Sequence, residues 1–232
     1  MPGFIDLENV RLCLGKHEQG SVEFSLDKLE VAKGEMLALT GPSGCGKSTL
    51  LNIVAGMIRA EEGRVMVLGH DLRKLSTAGL DSFRGHHCGF VFQSFHLLNA
   101  FTALENVEIG LRFGARLHAH ERKERSTELL KRVGLSHRLH ARTSRMSVGE
   151  RQRVAIARAI AGKPEILLAD EPTGALDPRT AAEVFKLLME VVAEAGCTLL
   201  MVTHDLALAA KLPRQMPCEG LVTTVSSERR AA

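Results

Sequence analysis

The sequence predicts an α/β protein with a mainly parallel sheet core, a small N-terminal antiparallel β layer and an inserted helical subdomain. Three observations carry that expectation. Short apolar runs of strand length (Met36-Leu37-Ala38-Leu39-Thr40, Gly89–Phe92, Ile166–Ala169 and Thr198–Thr203) alternate with helical segments, as buried parallel strands do. Ahead of them, Phe4–Val31 mixes polar and apolar residues with a period near two (Ile5, Leu7, then Val22, Phe24, Leu26), the pattern of antiparallel strands with one solvated face. Between Gln93 and Arg145 the pattern turns mainly helical, and Glu121–Val133 sets Glu124 and Glu128 on one side and Leu129, Leu130 and Val133 on the other.

Taken in order, Ala32-Lys33-Gly34-Glu35 reads as a turn feeding the apolar strand Met36–Thr40. A glycine-rich stretch, Gly41–Thr49, leads from that strand into an apolar helix over Leu50–Ile58. A later helix is sharply delimited by Asp177 as N-cap, Pro178 at the first helical position, an apolar stripe of Val184, Leu187, Leu188, Val191 and Val192, and Gly196 as stop. Ser226–Ala232 reads as a frayed tail. The expected organisation is one domain over residues 1–232, with a core of about 1–93 and 155–220 and a helical subdomain of about 94–154.

Composition bounds the function classes. The 30 basic and 27 acidic residues are interspersed and leave a formal charge of +3, so no strong electrostatic footprint supports nucleic acid, and none is expected as a partner. The longest apolar runs, such as Thr198–Val202, fall far short of the roughly 20 residues that cross a bilayer. Met1-Pro2-Gly3-Phe4-Ile5-Asp6 lacks the basic segment, apolar run and small-residue cleavage site of an export leader, so cytosolic residence is predicted. Cys13, Cys45, Cys88, Cys197 and Cys218 form no CxxC pair and read as reduced, buried thiols. His86-His87-Cys88 and His118-Ala119-His120 lack the paired ligand spacing of a structural zinc site.

The chemistry begins at Gly41-Pro42-Ser43-Gly44-Cys45-Gly46-Lys47-Ser48-Thr49, which matches GxxxxGK[ST] in the required context of strand, loop and helix. Glycines let backbone N–H groups turn inward around phosphate oxygens, and the helix N-terminus adds partial positive charge. Lys47 is predicted to reach the β- and γ-phosphates of ATP and Ser48 to ligate Mg²⁺. The run Ile166–Ala169 then delivers Asp170 and Glu171 at its end. Asp170 fits the Mg²⁺ role, and Glu171 is the candidate to accept a proton from the attacking water.

Further motifs stand in the order and spacing of ABC transporter ATPase subunits, and the chain resembles that family over nearly its whole length. Gln93 resembles the Q-loop glutamine. Met146-Ser147-Val148-Gly149-Glu150-Arg151-Gln152-Arg153 resembles the signature, normally LSGGQ followed by a helix, Gly174-Ala175-Leu176-Asp177 the D-loop, and His204 the switch histidine. The resemblance implies that Gln93 contacts Mg²⁺ and the water, and that His204 hydrogen-bonds the γ-phosphate. It also implies that Ser147, Val148, Gly149 and Glu150, ahead of a helix expected over Glu150–Ala161, meet ATP held by a second subunit. A homodimer, or a pair with a related ATPase subunit, follows from that arrangement. Two positions depart from the family. Val148 stands where the signature has its first glycine, and a β-branched residue resists positive φ, so the loop is expected to be extended there or to present its donors differently. Leu14 falls in the register of the aromatic residue that stacks on adenine, in a chain with no Tyr or Trp.

Phe90-Val91-Phe92-Gln93-Ser94-Phe95-His96-Leu97-Leu98 and Leu104-Glu105-Asn106-Val107 resemble the branch containing lipoprotein-releasing, macrolide-exporting and cell-division ATPases. The resemblance implies an ATPase at the cytoplasmic face of a bacterial inner membrane that drives a separate permease. Phe95, Leu97, Leu98 and Phe101 would receive the partner's coupling helix. The competing expectation is a non-transport ABC ATPase serving cell division, DNA repair or translation.

Overall fold

The computed structural model describes residues 3–17, 20–114 and 117–226; the expected tail beyond Ser226, and Met1 and Pro2 of the segment read for a leader, lie outside the described residues. The strands are β1 (Ile5–His17), β2 (Gly20–Val31), β3 (Met36–Thr40), β4 (Glu62–Val67), β5 (His70–Asp71), β6 (Cys88–Phe92), β7 (Ile166–Asp170), β8 (Thr198–Val202), β9 (Arg214–Pro217) and β10 (Val222–Ser226). The helices are α1 (Lys47–Val54), α2 (Thr77–His87), α3 (Ala103–Gly114), α4 (Ala119–Arg132), α5 (Val148–Ala161), α6 (Pro178–Ala195) and α7 (Leu206–Ala209). They fall into two compact units, one of Met1–Leu80 with Val202–Ala232 and one of Asp81–Met201.

The first unit holds an antiparallel sheet in the order β10-β2-β1-β4-β5. The period-two alternation expected of Phe4–Val31 is realised in β1 and β2, where Ile5, Leu7, Val10, Leu12, Phe24 and Leu26 are buried. The apolar phase slips by one residue at Asn9, which has φ +50°, and the β1–β4 register shifts between Glu8 and Arg11. A one-residue slip turns the following side chains to the opposite face, so the bulge is what keeps both halves of β1 apolar on the buried side. Ser226 is not frayed: it ends β10 opposite Gly20 of β2. The sequence signal there, Val-Thr-Thr-Val-Ser, is too short to stand apart from loop. In the same unit β3 pairs in parallel with β9, Leu37 facing Arg214 and Thr40 facing Pro217.

Helix α1 departs from the predicted Leu50–Ile58. It starts at Lys47 and ends at Val54, because the chain turns left-handed at Gly56 (φ +63°) and the N–H groups of Met57 and Ile58 both donate back to the Asn52 carbonyl. Periodicity alone continues through this stop, since Ile58 is still apolar.

The second unit builds on β6 and β7, which run parallel with Cys88 opposite Ile166 and Phe92 opposite Asp170, and on β8 beside β7. Ile166, Leu167, Leu168 and Ala169 are all buried, as are Leu199, Leu200 and Met201, so both faces of these strands are covered. Each such leucine or isoleucine contributes about 1.5–3 kcal/mol by leaving water. Helix α6 has the expected bounds: the Asp177 side chain accepts from the Thr180 N–H at 3.1 Å, Pro178 leads, and Gly196 stops it at φ +62°. Arg132 at the end of α4 bonds Glu190 at 3.0 Å and Glu194 at 2.6 Å on α6. All five cysteines are free as expected, but only Cys45, Cys197 and Cys218 are buried; Cys13 and Cys88 are half-buried, and desolvation still pushes the Cys88 thiol up to about 12.

Candidate functional site

In the first unit the Gly41–Thr49 loop leaves the end of β3 and enters α1 at Lys47. Gly41, Gly44 and Gly46 have φ of +135°, +82° and +104°. Gly46 is the constrained one: a Cβ there would lie 3.0 Å from Val222 Cγ2 and 3.2 Å from the Phe24 ring. Strands β10 and β2 thus press against the turn that aims the helix N-terminus. Gly46→Ala is expected to destabilise the protein by about 1–3 kcal/mol through the forced backbone and to abolish nucleotide binding. A thermal melt together with a nucleotide titration checks both effects.

Lys47 is buried, and its ammonium donates to the carbonyls of Gly41 and Pro42, each at 2.7 Å, and to Cys45 Sγ at 3.7 Å. The lysine therefore closes the loop on itself, with Ser48 and Thr49 following in the first turn of α1. His204 is exposed directly after β8. Its neighbour Thr203 donates its N–H to the Leu39 carbonyl of β3 at 3.1 Å, and Asp205 caps α7 through the N–H groups of Ala207 and Leu208. These anchors hold His204 beside the strand from which the phosphate loop departs.

Leu14 is the extra residue of the bulge between Cys13 and Gly15 in β1 and is 39% exposed. An exposed aliphatic side chain gives a base apolar contact but no ring stacking, a loss of up to about 1 kcal/mol. GTP is accordingly expected to compete with ATP to within about fivefold. A strong ATP preference in competition binding overturns this.

In the second unit the β6–β7 register brings three predicted residues together. Phe92 faces Asp170, so Gln93 and Glu171 emerge from the ends of neighbouring strands. At Gly174, a Cβ would lie 3.0 Å from Gln93 Nε2 and 3.5 Å from Glu171 Cβ. Gln93, Glu171 and Gly174 thus form one cluster. Glu171 has φ +48°, a left-handed conformation for a residue with a side chain, of the kind that costs about 1–3 kcal/mol and concentrates at functional positions.

The signature corrects two expectations. Helix α5 begins at Val148 rather than Glu150, because Ser147 and Glu150 form a capping box: Ser147 Oγ accepts from the Glu150 N–H at 3.2 Å and Glu150 Oε2 accepts from the Ser147 N–H at 2.8 Å. Val148 is therefore the first helical residue, which removes the extended alternative and leaves the one in which the donors are presented differently; its side chain is 37% exposed. The tightly packed glycine is Gly149, where a Cβ would lie 2.7 Å from Thr180 Cγ2 of α6 and would have to displace it. Burial works against the Glu150 charge, but the Ser147 N–H and Arg138, at 3.0 Å, hold its carboxyl below the usual carboxylate range. Asp177, expected in the D-loop, caps α6; hydrogen bonds from Thr180 hold it below the usual range as well.

Sequence reading assigned no supporting role to the buried polar side chains that hold these segments. Gln152 of α5 is fully buried and donates to the Pro172 carbonyl, next to Glu171, at 2.5 Å. Asn106 is buried and bonds Leu98 through both its N–H and its carbonyl, and Thr143 Oγ1 donates to the same Leu98 carbonyl at 3.0 Å. The fixed segment presents Leu98 and Phe101 to solvent, 47% and 40% exposed, while Phe95 and Leu97 are half-buried. A buried polar residue on an amphipathic helix carries no sequence signal that separates it from a surface one.

Among the described residues the three carboxylates that approach one another closely, Asp6, Glu8 and Glu30, are paired with Arg64 and Lys28. His87 bonds Glu165 at 2.7 Å.

The sequence model of the family described as ABC transporter matches residues 25–174. Among solved structures, the chain is similar to the ATP-binding cassette MJ0796 in a dimeric post-hydrolysis state bound to ADP and Pi. The identity is 37%, over 92% of this chain and 93% of that one, with a TM-score of 0.82. A second dimeric structure of MJ0796, described as a bacterial ABC transporter cassette, is 38% identical over the same shares, also at 0.82. cbiO1 from Clostridium perfringens, part of the ABC transporter complex cbiONQ, is 29% identical over 90% of this chain and 81% of that one, at a TM-score of 0.77. With its family match spanning the phosphate loop, the signature and both carboxylates, the chain belongs to the ABC transporter family, as an ATP-binding cassette that hydrolyses ATP.

Proposed function

We propose that this cassette pairs with a second copy or a related ATPase subunit, sandwiches two ATP molecules, and drives a separate membrane permease. The work done is export, extraction of lipid or lipoprotein, or another mechanical task at a bacterial envelope, from the cytoplasmic face of the inner membrane. The observation that carries the permease reading is the exposed apolar pair Leu98 and Phe101, held rigid by Asn106 and Thr143 a few residues after Gln93. Apolar side chains fixed by buried polar bonds suit a helix-in-groove contact. Among the described residues no helix is long and apolar enough to cross a membrane, so a membrane span in this reading belongs to a partner. The dimeric MJ0796 cassettes support the pairing.

In the proposed reaction the N–H groups of Gly41–Thr49 and the Lys47 ammonium bind the β- and γ-phosphates. Glu171 accepts the proton of a water attacking in line, and Gln93 and His204 orient water and γ-phosphate. Ser147, Val148, Gly149 and Glu150, with Asp177 of the D-loop, act on the nucleotide of the second subunit. The Ser48 hydroxyl, the Gln93 amide oxygen and the Asp170 carboxylate are hard oxygen donors, the set Mg²⁺ takes. When bound, Mg²⁺ neutralises the charge that develops on the transferred phosphoryl group.

The test is to isolate the Glu171→Gln protein with ATP from gently solubilised membranes and identify by mass spectrometry what accompanies it. An integral membrane protein at near-equal stoichiometry supports the reading. Recovery only in the soluble fraction, with ribosomes or nucleic acid, replaces it with a non-transport ATPase.

A further inference from the structure

Gln93 sits inside a tight turn. The Phe95 N–H donates to the Phe92 carbonyl at 3.1 Å, enclosing Gln93 and Ser94 as the central residues, and the His96 N–H donates to the Ser94 carbonyl at 2.7 Å. Both residues that leave the turn are left-handed without being glycine: Phe95 has φ +60° and His96 φ +46°. Two consecutive side-chain-bearing residues in that region do not hold themselves; the surroundings must impose the conformation.

The imposing group is Arg158 of α5. Its guanidinium donates to the His96 carbonyl at 2.6 Å and to the Phe95 carbonyl at 2.7 Å. A planar fork with two parallel donors fixes two carbonyls at once, which a lysine ammonium cannot reproduce. Other contacts give the same loop a second hold: Arg151 of α5 lies 5.3 Å over the Phe95 ring, and the His96 ring packs 4.4 Å from that of Phe92. Gly110 of α3 lets α5 approach closely at Arg158: a Cβ there would lie 2.8 Å from the Arg158 carbonyl and 3.0 Å from its Cγ. The fork thus reaches from a helix packed against α3 to the two left-handed residues of the turn.

We infer that Arg158 is a positioning residue for ATP hydrolysis, holding the Phe92–His96 turn in the one conformation that directs Gln93 toward Gly174 and Glu171. It acts through Gln93 and touches no reacting atom. The inference rests on the proposed role of Gln93 in turnover.

The experiment is steady-state ATP hydrolysis by the full chain, comparing wild type, Arg158→Lys, Gln93→Ala and the double variant. Arg158→Lys is expected to lower kcat by about tenfold or more, with KM for ATP within about twofold, because misplacement of an orienting group is felt in turnover. Since Arg158 acts through Gln93, the double variant should be no slower than Gln93→Ala alone. His96→Val leaves Arg158 in place but puts a β-branched residue where φ is +46°; it should reproduce the kcat loss, which keeps the test open if Arg158→Lys fails to fold. An unchanged kcat in a folded Arg158→Lys protein, or losses that multiply in the double variant, overturns the inference while leaving Gln93 in its role. If Gln93→Ala itself turns over normally, the role of Gln93 falls, and the inference with it.

Discussion

Replacing Glu171 by Gln should leave ATP affinity within about twofold of wild type and lower turnover by about 10²–10⁴, the range a general base supplies. The amide matches the carboxylate in size and can still hydrogen-bond a water, but it cannot take the proton. The left-handed backbone at Glu171 makes this substitution cleaner than most. Gln and Glu place the same atoms next to Cβ, so the φ of +48° is held equally well and the approach to Gly174 is kept. Nucleotide titration, phosphate release and light scattering with ATP separate the steps. Binding intact, release lost and a persistent dimer is the expected set. Phosphate release at the normal rate removes Glu171 from the mechanism.

Lys47→Ala should act earlier, on binding itself. A charged hydrogen-bonding group on phosphate is worth about 1.5–3 kcal/mol, so affinity for ATP should fall by about ten- to a hundredfold. The Lys47 ammonium also bonds the Gly41 and Pro42 carbonyls, so the variant loses the donor that closes the loop. A lower thermal midpoint without nucleotide, together with a much smaller upward shift on adding ATP, is the combined signature. A variant that melts lower yet binds ATP as wild type does would assign Lys47 to the loop's shape alone.

How far the sequence reached depends on the kind of signal. Residues that must be of one type to make a turn or a cap were legible at residue resolution: Asp177, Pro178 and Gly196 bound α6 where expected. Buried parallel strands were equally plain, because β7 and β8 are apolar on both faces. Boundaries set by competition were not. The Ser147–Glu150 capping box drew α5 two residues earlier than the signature pattern suggested, and the turn at Gly56 cut α1 short while the apolar spacing ran on. That same capping box explains Val148: a position inside a helix has no need of the glycine that a loop would demand. The supporting roles of Gln152 and Arg158 were invisible because their partners are backbone carbonyls 20 and 62 residues away along the chain. A sequence records which side chains exist, not which distant peptide group waits for them.

Helix α5 is unbroken from Val148 to Ala161, with the signature serine capping one end and Arg158 gripping the turn after Gln93 near the other. At 1.5 Å per residue those two points are about 16 Å apart on a single stiff rod. Gln152, between them, is bonded to the peptide that follows Glu171. The signature loop, the Pro172 peptide and the turn after Gln93 therefore all hang from one continuous helix, three separate stretches of chain registered against a single body.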